Sequence, residues 1–158
     1  MNAIESNSLI GRTVRAYCGA SNLLDKLQPI LLLGFRLYVA RVFFMSALTK
    51  IHDWSITVAL FTDECHVPVL SPAVAALLGT TTELSMPVLL ALGLATRLGA
   101  FVLFFFNIVA VVSYAALPDI AVKDHILWGT MLVVVLLFGP GKISLDRLLD
   151  QRVARRTD

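Results

Sequence analysis

The stretch Pro72–Gly93, PAVAALLGTTTELSMPVLLALG, is apolar and long enough to cross a bilayer, at about 1.5 Å per residue against about 30 Å of hydrocarbon. Near its middle sits Glu83. A carboxylate at that depth is costly in lipid and marks a functional site whose partner has to be found. Three more apolar stretches accompany it, at about 29–50, 98–116 and 120–138. The expected fold is all-α, an integral membrane four-helix bundle.

Composition agrees. Hydrophobic residues make up 58% of the 158, and mean hydropathy is +0.81. Charged residues are 15%, well below the roughly 25% of soluble domains. The cations are spread over tails and helices rather than gathered in a patch, which argues against a nucleic-acid surface. Two cysteines, Cys18 and Cys65, are too few for a disulfide framework or a CxxC relay.

Residues 1–28 read as a cytoplasmic tail. Ile10, Val14 and Tyr17 recur at helical spacing opposite Arg12 and Arg15, the pattern of a short helix on the membrane surface; a loose tail is the alternative. No run there is apolar enough for a signal-peptide core, so the first span is expected to act as an uncleaved insertion signal. Pro29 suits the start of that span. Residues 29–140 form the bundle. After the first span, residues 51–72 mix Trp54, Ile56, Val58, Leu60 and Phe61 with Asp53, Asp63 and Glu64. That run is too short to cross and is expected to be interfacial or re-entrant, with Trp54 at headgroup level. Residues 141–158 read as a C-terminal interfacial helix and tail, capped by Ser144.

Arg12, Arg15, Lys26, Arg97, Lys142, Arg147, Arg152, Arg155 and Arg156 fall on one side of this arrangement. The positive-inside rule then puts both termini in the cytoplasm. Cys18 and Cys65 are expected on opposite sides of the membrane.

Counting residues gives depth. Arg41 and Glu83 each lie about eleven residues into their spans, roughly 17 Å. Asn107 and Thr130 sit near the same level in spans three and four. These groups are expected to turn inward and satisfy each other. On a helical wheel Arg36 and Lys50 share a face with Ala40, Phe43 and Ala47, while Arg41 lies about 140° from Arg36. Either Arg36 reaches up to Glu83 and Arg41 faces a subunit neighbour, or Arg41 pairs with Glu83 and Arg36 reaches down. The small residues favour the Arg36–Lys50 face as the inner one. The network reads either as a structural ion pair that fixes register or as a ligand or proton site.

At the other surface, Lys50, His52, Asp53, Glu64, His66, Lys123, Asp124 and His125 gather. No two have tight metal-ligand spacing, so the expectation is a solvated rim and no metal. His125 is the candidate of interest, one turn before Gly129. GPGKIS lacks the GxxxxGK[ST] spacing and is not a phosphate loop.

Arg36 followed by SALTK ending at Lys50, TTEL with Glu83, LLALGLATR ending at Arg97, and GPGKISLD over 139–146 together resemble the DoxX family of small bacterial inner-membrane proteins. The resemblance covers roughly residues 30–150. The stretch LFTDECHVPVLSP resembles a subgroup associated with metal and oxidative stress, with Cys65 where an aromatic residue is expected. The resemblance implies a four-helix inner-membrane bundle linked to redox or stress homeostasis. It implies contact with quinone, a partner oxidoreductase or a peptide-modifying system. By position it carries over Arg36, Lys50, Glu83 and Arg97. The chain has no haem ligand pair, CxxC or flavin signature, so electrons would come from a partner or a bound molecule. The competing expectation is a non-catalytic scaffold, small-solute transporter or metal-stress accessory, working as a homo-oligomer in membrane lipid.

Overall fold

The computed structural model describes residues 9–65, 67, 69–114 and 117–157. Among the described residues six helices follow one another: α1 (Leu9–His52), α2 (Trp54–Asp63), α3 (Pro72–Leu92), α4 (Thr96–Ser113), α5 (Asp119–Phe138) and α6 (Leu145–Thr157). Among the described residues there is no strand, only an isolated antiparallel bridge between Cys65 and Tyr114. α1, α3, α4 and α5 are each long and apolar enough to cross a membrane. The protein is an all-α membrane bundle.

Local chemistry sets the helix ends. Asp53 caps α2 by accepting the Ile56 N–H, and Pro72 opens α3, where its missing N–H costs nothing. Gly93 ends α3 at φ +70°, a left-handed conformation that glycine adopts without a Cβ clash. Gly139 ends α5. Ser144 caps α6 by accepting the Arg147 N–H at 3.3 Å.

α1 is a single helix of 44 residues with Pro29 inside it. The boundary expected at 28/29 is therefore no helix break. A proline removes one hydrogen bond and crowds the carbonyl four residues back, which bends a helix more readily than it stops one. α1 packs on α3 and α5, α3 on α4, and α4 on α5, so the four long helices close a ring; α2 lies against α3 and α1. The shared core is Val39, Phe43, Leu90, Ala100, Leu103, Leu132 and Val135. The Phe43 ring meets Phe106 and Trp128 edge to face, with centroids 6.1 and 5.9 Å apart. Small residues let backbones approach: a Cβ on Gly99 would lie 3.5 Å from the Met86 carbonyl of α3.

The bundle has two unlike ends. One carries the α3–α4 turn, the 139–144 loop and α6; the other carries α2, the start of α3, the end of α4 and the start of α5. They are called here the basic end and the α2 end.

Candidate functional site

Arg36 and Lys50 lie on the buried stripe of α1 with Val39, Ala40, Phe43 and Ala47. The Arg36–Lys50 face is the inner one. Arg36 is 1% exposed, and among the described residues its guanidinium binds no carboxylate. It donates to four carbonyls: Leu90 at 2.8 Å, Ala91 at 2.9 Å, Pro140 at 2.7 Å and Ile143 at 2.8 Å. Two of these belong to the last turn of α3, where carbonyls run short of intrahelical donors and the Gly93 N–H reaches Leu90 at 3.2 Å, and two to the GPGKIS loop. Asp146 completes the assembly. Its carboxylate accepts the N–H groups of Ala95 at 2.7 Å and Thr96 at 2.9 Å, and so caps α4 across 50 residues of sequence. Burial pushes the Asp146 carboxyl up. The Thr96 and Ala95 hydrogen bonds and the Arg36 charge outweigh it and hold the group below its ordinary value.

Toward the α2 end, Glu83 is buried in α3 and forms an ion pair with Lys50. Ser46, one turn before Lys50, donates to its other oxygen at 3.2 Å. Neither Arg36 nor Arg41 is the partner, so both expected pairings are replaced. The cause is the lean of helical side chains toward their own N-terminus. α1 and α3 run antiparallel, so Lys50 leans toward the middle from one side and Glu83 leans out to meet it. Arg36 leans the same way along α1 as Lys50, and from its lower position that carries it to the basic end, away from Glu83. Pro87, one turn past Glu83 and buried, brings no N–H to the Glu83 carbonyl.

Asn107 of α4 is also buried, and it binds His125 of α5 twice. Its amide donates to the His125 carbonyl at 2.9 Å, and its oxygen sits 2.7 Å from His125 Nδ1. Gly129 makes the room: a Cβ there would lie 3.2 Å from the Asn107 amide nitrogen. Thr130, expected to join the network from α5, faces outward and donates to its own Ile126 carbonyl at 2.8 Å. That bond lets a hydroxyl face lipid without a partner.

A cavity of about 310 Å³ joins the two groups. Its wall includes Ser46, Lys50, Glu83, Gly79 and His125, together with Phe61, Cys65, Phe106, Ser113 and Tyr114. Gly79 keeps the wall open between Phe61 and Phe106. The cover is made by Glu64, which accepts from the Tyr114 hydroxyl, and by the Cys65–Tyr114 bridge. The Ser113 hydroxyl is buried and makes no hydrogen bond among the described residues. Burial pushes the Cys65 thiol up; nearby Lys50 opposes this and Glu64 adds to it, so Cys65 is a thiol rather than a thiolate. In the sequence Cys65 stands out only as a lone cysteine, and Ser113 and Tyr114 read as the end of the third span, where a hydroxyl gives no sign that it faces a cavity.

The remaining candidates lie elsewhere. Arg41 is exposed and makes no contact with a charged partner among the described residues. Arg97 is exposed at the basic end, its guanidinium nitrogens beside Gly139. His52, Lys123 and Asp124 are exposed, while Asp53 is occupied as a cap. His66 lies outside the described residues. Among the described residues no three His, Cys, Asp or Glu side chains come together to hold a metal.

The family model described as DoxX matches residues 31–116, more than half of the chain. Arg36, Lys50, Glu83, Arg97 and Asn107 lie inside that range; the loop carbonyls that Arg36 binds and His125 lie beyond it. No curated protein matches the chain, and no solved structure does.

Proposed function

We propose a function on one premise: the chain belongs to the DoxX family. It is an integral membrane protein, and its cavity at the α2 end takes a small apolar molecule with a polar head. In this reading the protein is a redox- or stress-linked subunit that interacts with quinone or with a partner oxidoreductase. It sits in a bacterial inner membrane with both termini in the cytoplasm.

The cavity carries the reading. At about 310 Å³ it falls at the small end of the 300–1,000 Å³ of ligand pockets. Its walls are aromatic and aliphatic, and a few polar groups converge on it, as head-group recognition requires. A quinone fits that chemistry: Lys50 and Ser113 offer donors, and Phe61 and Phe106 offer ring faces. Such a molecule would supply the two-electron couple that the chain's own side chains lack. Lys50 and Ser46 hold the Glu83 carboxylate in place at the cavity wall.

One observation favours the other reading, a non-catalytic scaffold or accessory. Both Glu83 oxygens are already answered within the protein, as an ion pair that only fixes register would be. Purification in native lipid, followed by solvent extraction and chromatography, separates the two. The ligand reading expects quinone to co-purify with the native protein. Glu83→Gln should lose it while remaining monodisperse. Native protein that carries none, and a Glu83→Gln variant that fails only by unfolding, would leave the scaffold.

A further inference from the structure

We infer that the cavity prefers ligands whose polar head carries a hydroxyl, and that His125 Nε2 receives that hydroxyl's hydrogen. The inference rests on the cavity being a ligand site and adds the direction of the hydrogen bond; of a quinone and its quinol, the quinol is the form the site favours. Two observations carry it.

The first is the tautomer of His125. The Asn107 amide meets two groups, the His125 carbonyl at 2.9 Å and the His125 ring Nδ1 at 2.7 Å. A backbone carbonyl only accepts, so the Asn107 nitrogen must face it. That fixes the Asn107 oxygen toward Nδ1, and an amide oxygen only accepts. Nδ1 therefore carries the hydrogen. In a neutral imidazole the other nitrogen, Nε2, is then a lone-pair acceptor. No hydrogen bond reaches it among the described residues, and His125 lines the cavity. The edge-to-face contact with Trp128, centroids 4.8 Å apart, holds the ring plane.

The second is Ser113. It is 6% exposed, lies in the same wall, and its hydroxyl has no partner among the described residues. A buried helical hydroxyl can donate to the carbonyl one turn back, as Thr57 does here at 3.0 Å; Thr80 and Thr96 also lack a bond among the described residues, but neither lines this cavity. An unanswered hydroxyl in an apolar wall is costly unless something else occupies its bond. Ser113 as donor and His125 as acceptor complement an oxygen that both accepts and donates. A hydroxyl does both; an ether or a ketone oxygen only accepts.

Trp128 gives a local reporter. The chain has two tryptophans, so Trp54→Phe leaves Trp128 as the single fluorophore beside the cavity. The full chain in lipid nanodiscs is titrated with 4-hexylphenol and with 4-hexylanisole, in which a methyl group replaces the hydroxyl hydrogen. The phenol is expected to bind roughly tenfold tighter, the worth of one net hydrogen bond. His125→Phe should bring the phenol down to the anisole value and leave the anisole unchanged. Ser113→Ala should weaken both probes alike, because each oxygen can accept. If His125→Phe does not fold, Asn107→Leu, which releases the tautomer, should narrow the phenol preference. Equal binding of the two probes by the native protein would overturn the inference while leaving a ligand site. A Trp128 emission that neither probe moves would overturn the site itself.

Discussion

Arg36 shows why a buried cation need not have a counterion. Its planar fork presents five N–H donors, and four carbonyls converge on it from α3 and the loop after α5. A lysine offers one point of charge and three donors on a single nitrogen, so it cannot span that set. Arg36→Lys should therefore lower stability nearly as much as Arg36→Met, by about 3–5 kcal/mol, since either leaves buried carbonyls unanswered; thermal unfolding in detergent measures it. The Lys50–Glu83 pair behaves differently. Lys50→Met strands a carboxylate in the core and should cost several kcal/mol, of the order of a broken buried pair. Lys50→Met with Glu83→Gln should recover most of that loss, and a double-mutant cycle reads the coupling. A double variant no better than Lys50→Met would show that the two side chains do not act as a pair. Sequence made both residues visible, because a charge in an apolar run stands out. It hid their partners, because backbone carbonyls have no residue identity and because depth counted at Cα ignores the lean of a long side chain. Thr130 was misplaced for a related reason: a hydroxyl that bonds its own helix looks, in sequence, the same as one that needs a neighbour.

Among the elements, the spans were the most legible, since runs of apolar residues near the bilayer length leave little choice of structure. The junctions were less so. Nothing in residues 20–30 announces that α1 continues through Pro29, and nothing local to Thr96 announces that Asp146 will cap α4 from the far side of α5. Two glycines test the junction between α3 and the basic end. Gly93 has φ +70°, and a Cβ there would press on the Arg36 guanidinium and lie 2.7 Å from Ser144 Cβ. Gly93→Ala should be strongly destabilising, by more than the roughly 1 kcal/mol of backbone strain alone. Gly99 is helical, and its added Cβ would make only ordinary contacts. Gly99→Ala should be neutral or stabilising by up to about 1 kcal/mol from helix propensity. The Asp146 cap adds a pH dependence. Its carboxyl is held below the ordinary 3.8, so the stability it gives is complete above that value and is lost as pH falls through the lower folded one. Melting of the native protein should drop in that acidic window. Asp146→Asn should melt lower at neutral pH and lose that part of the acid dependence.

Across the whole molecule, the length of α1 exceeds what the bundle uses. Its 44 residues extend about 66 Å, against about 30 Å of hydrocarbon. The buried stripe begins at Leu32, and between Arg12 and Gln28 every residue but Ser21 is exposed. The first half of α1 therefore projects from the basic end, the same end that holds Arg97, Lys142 and α6. The opposite end carries Asp53, Asp63, Glu64, Asp119 and Asp124. That asymmetry is the physical ground for the proposal that the basic end is cytoplasmic, because cations near span ends resist translocation. The projecting half makes the placement measurable without disturbing the bundle. Trypsin applied to inside-out vesicles should cut after Arg12, Arg15 or Lys26, and right-side-out vesicles should protect all three. An impermeant maleimide should follow the same pattern at Cys18, which is exposed on that projection. The trimmed protein should melt at the temperature of the intact one, because the removed turns bury nothing against the core. Cleavage from the opposite face alone would invert the orientation, and the cavity beside Glu83 would then open toward the cytoplasmic side.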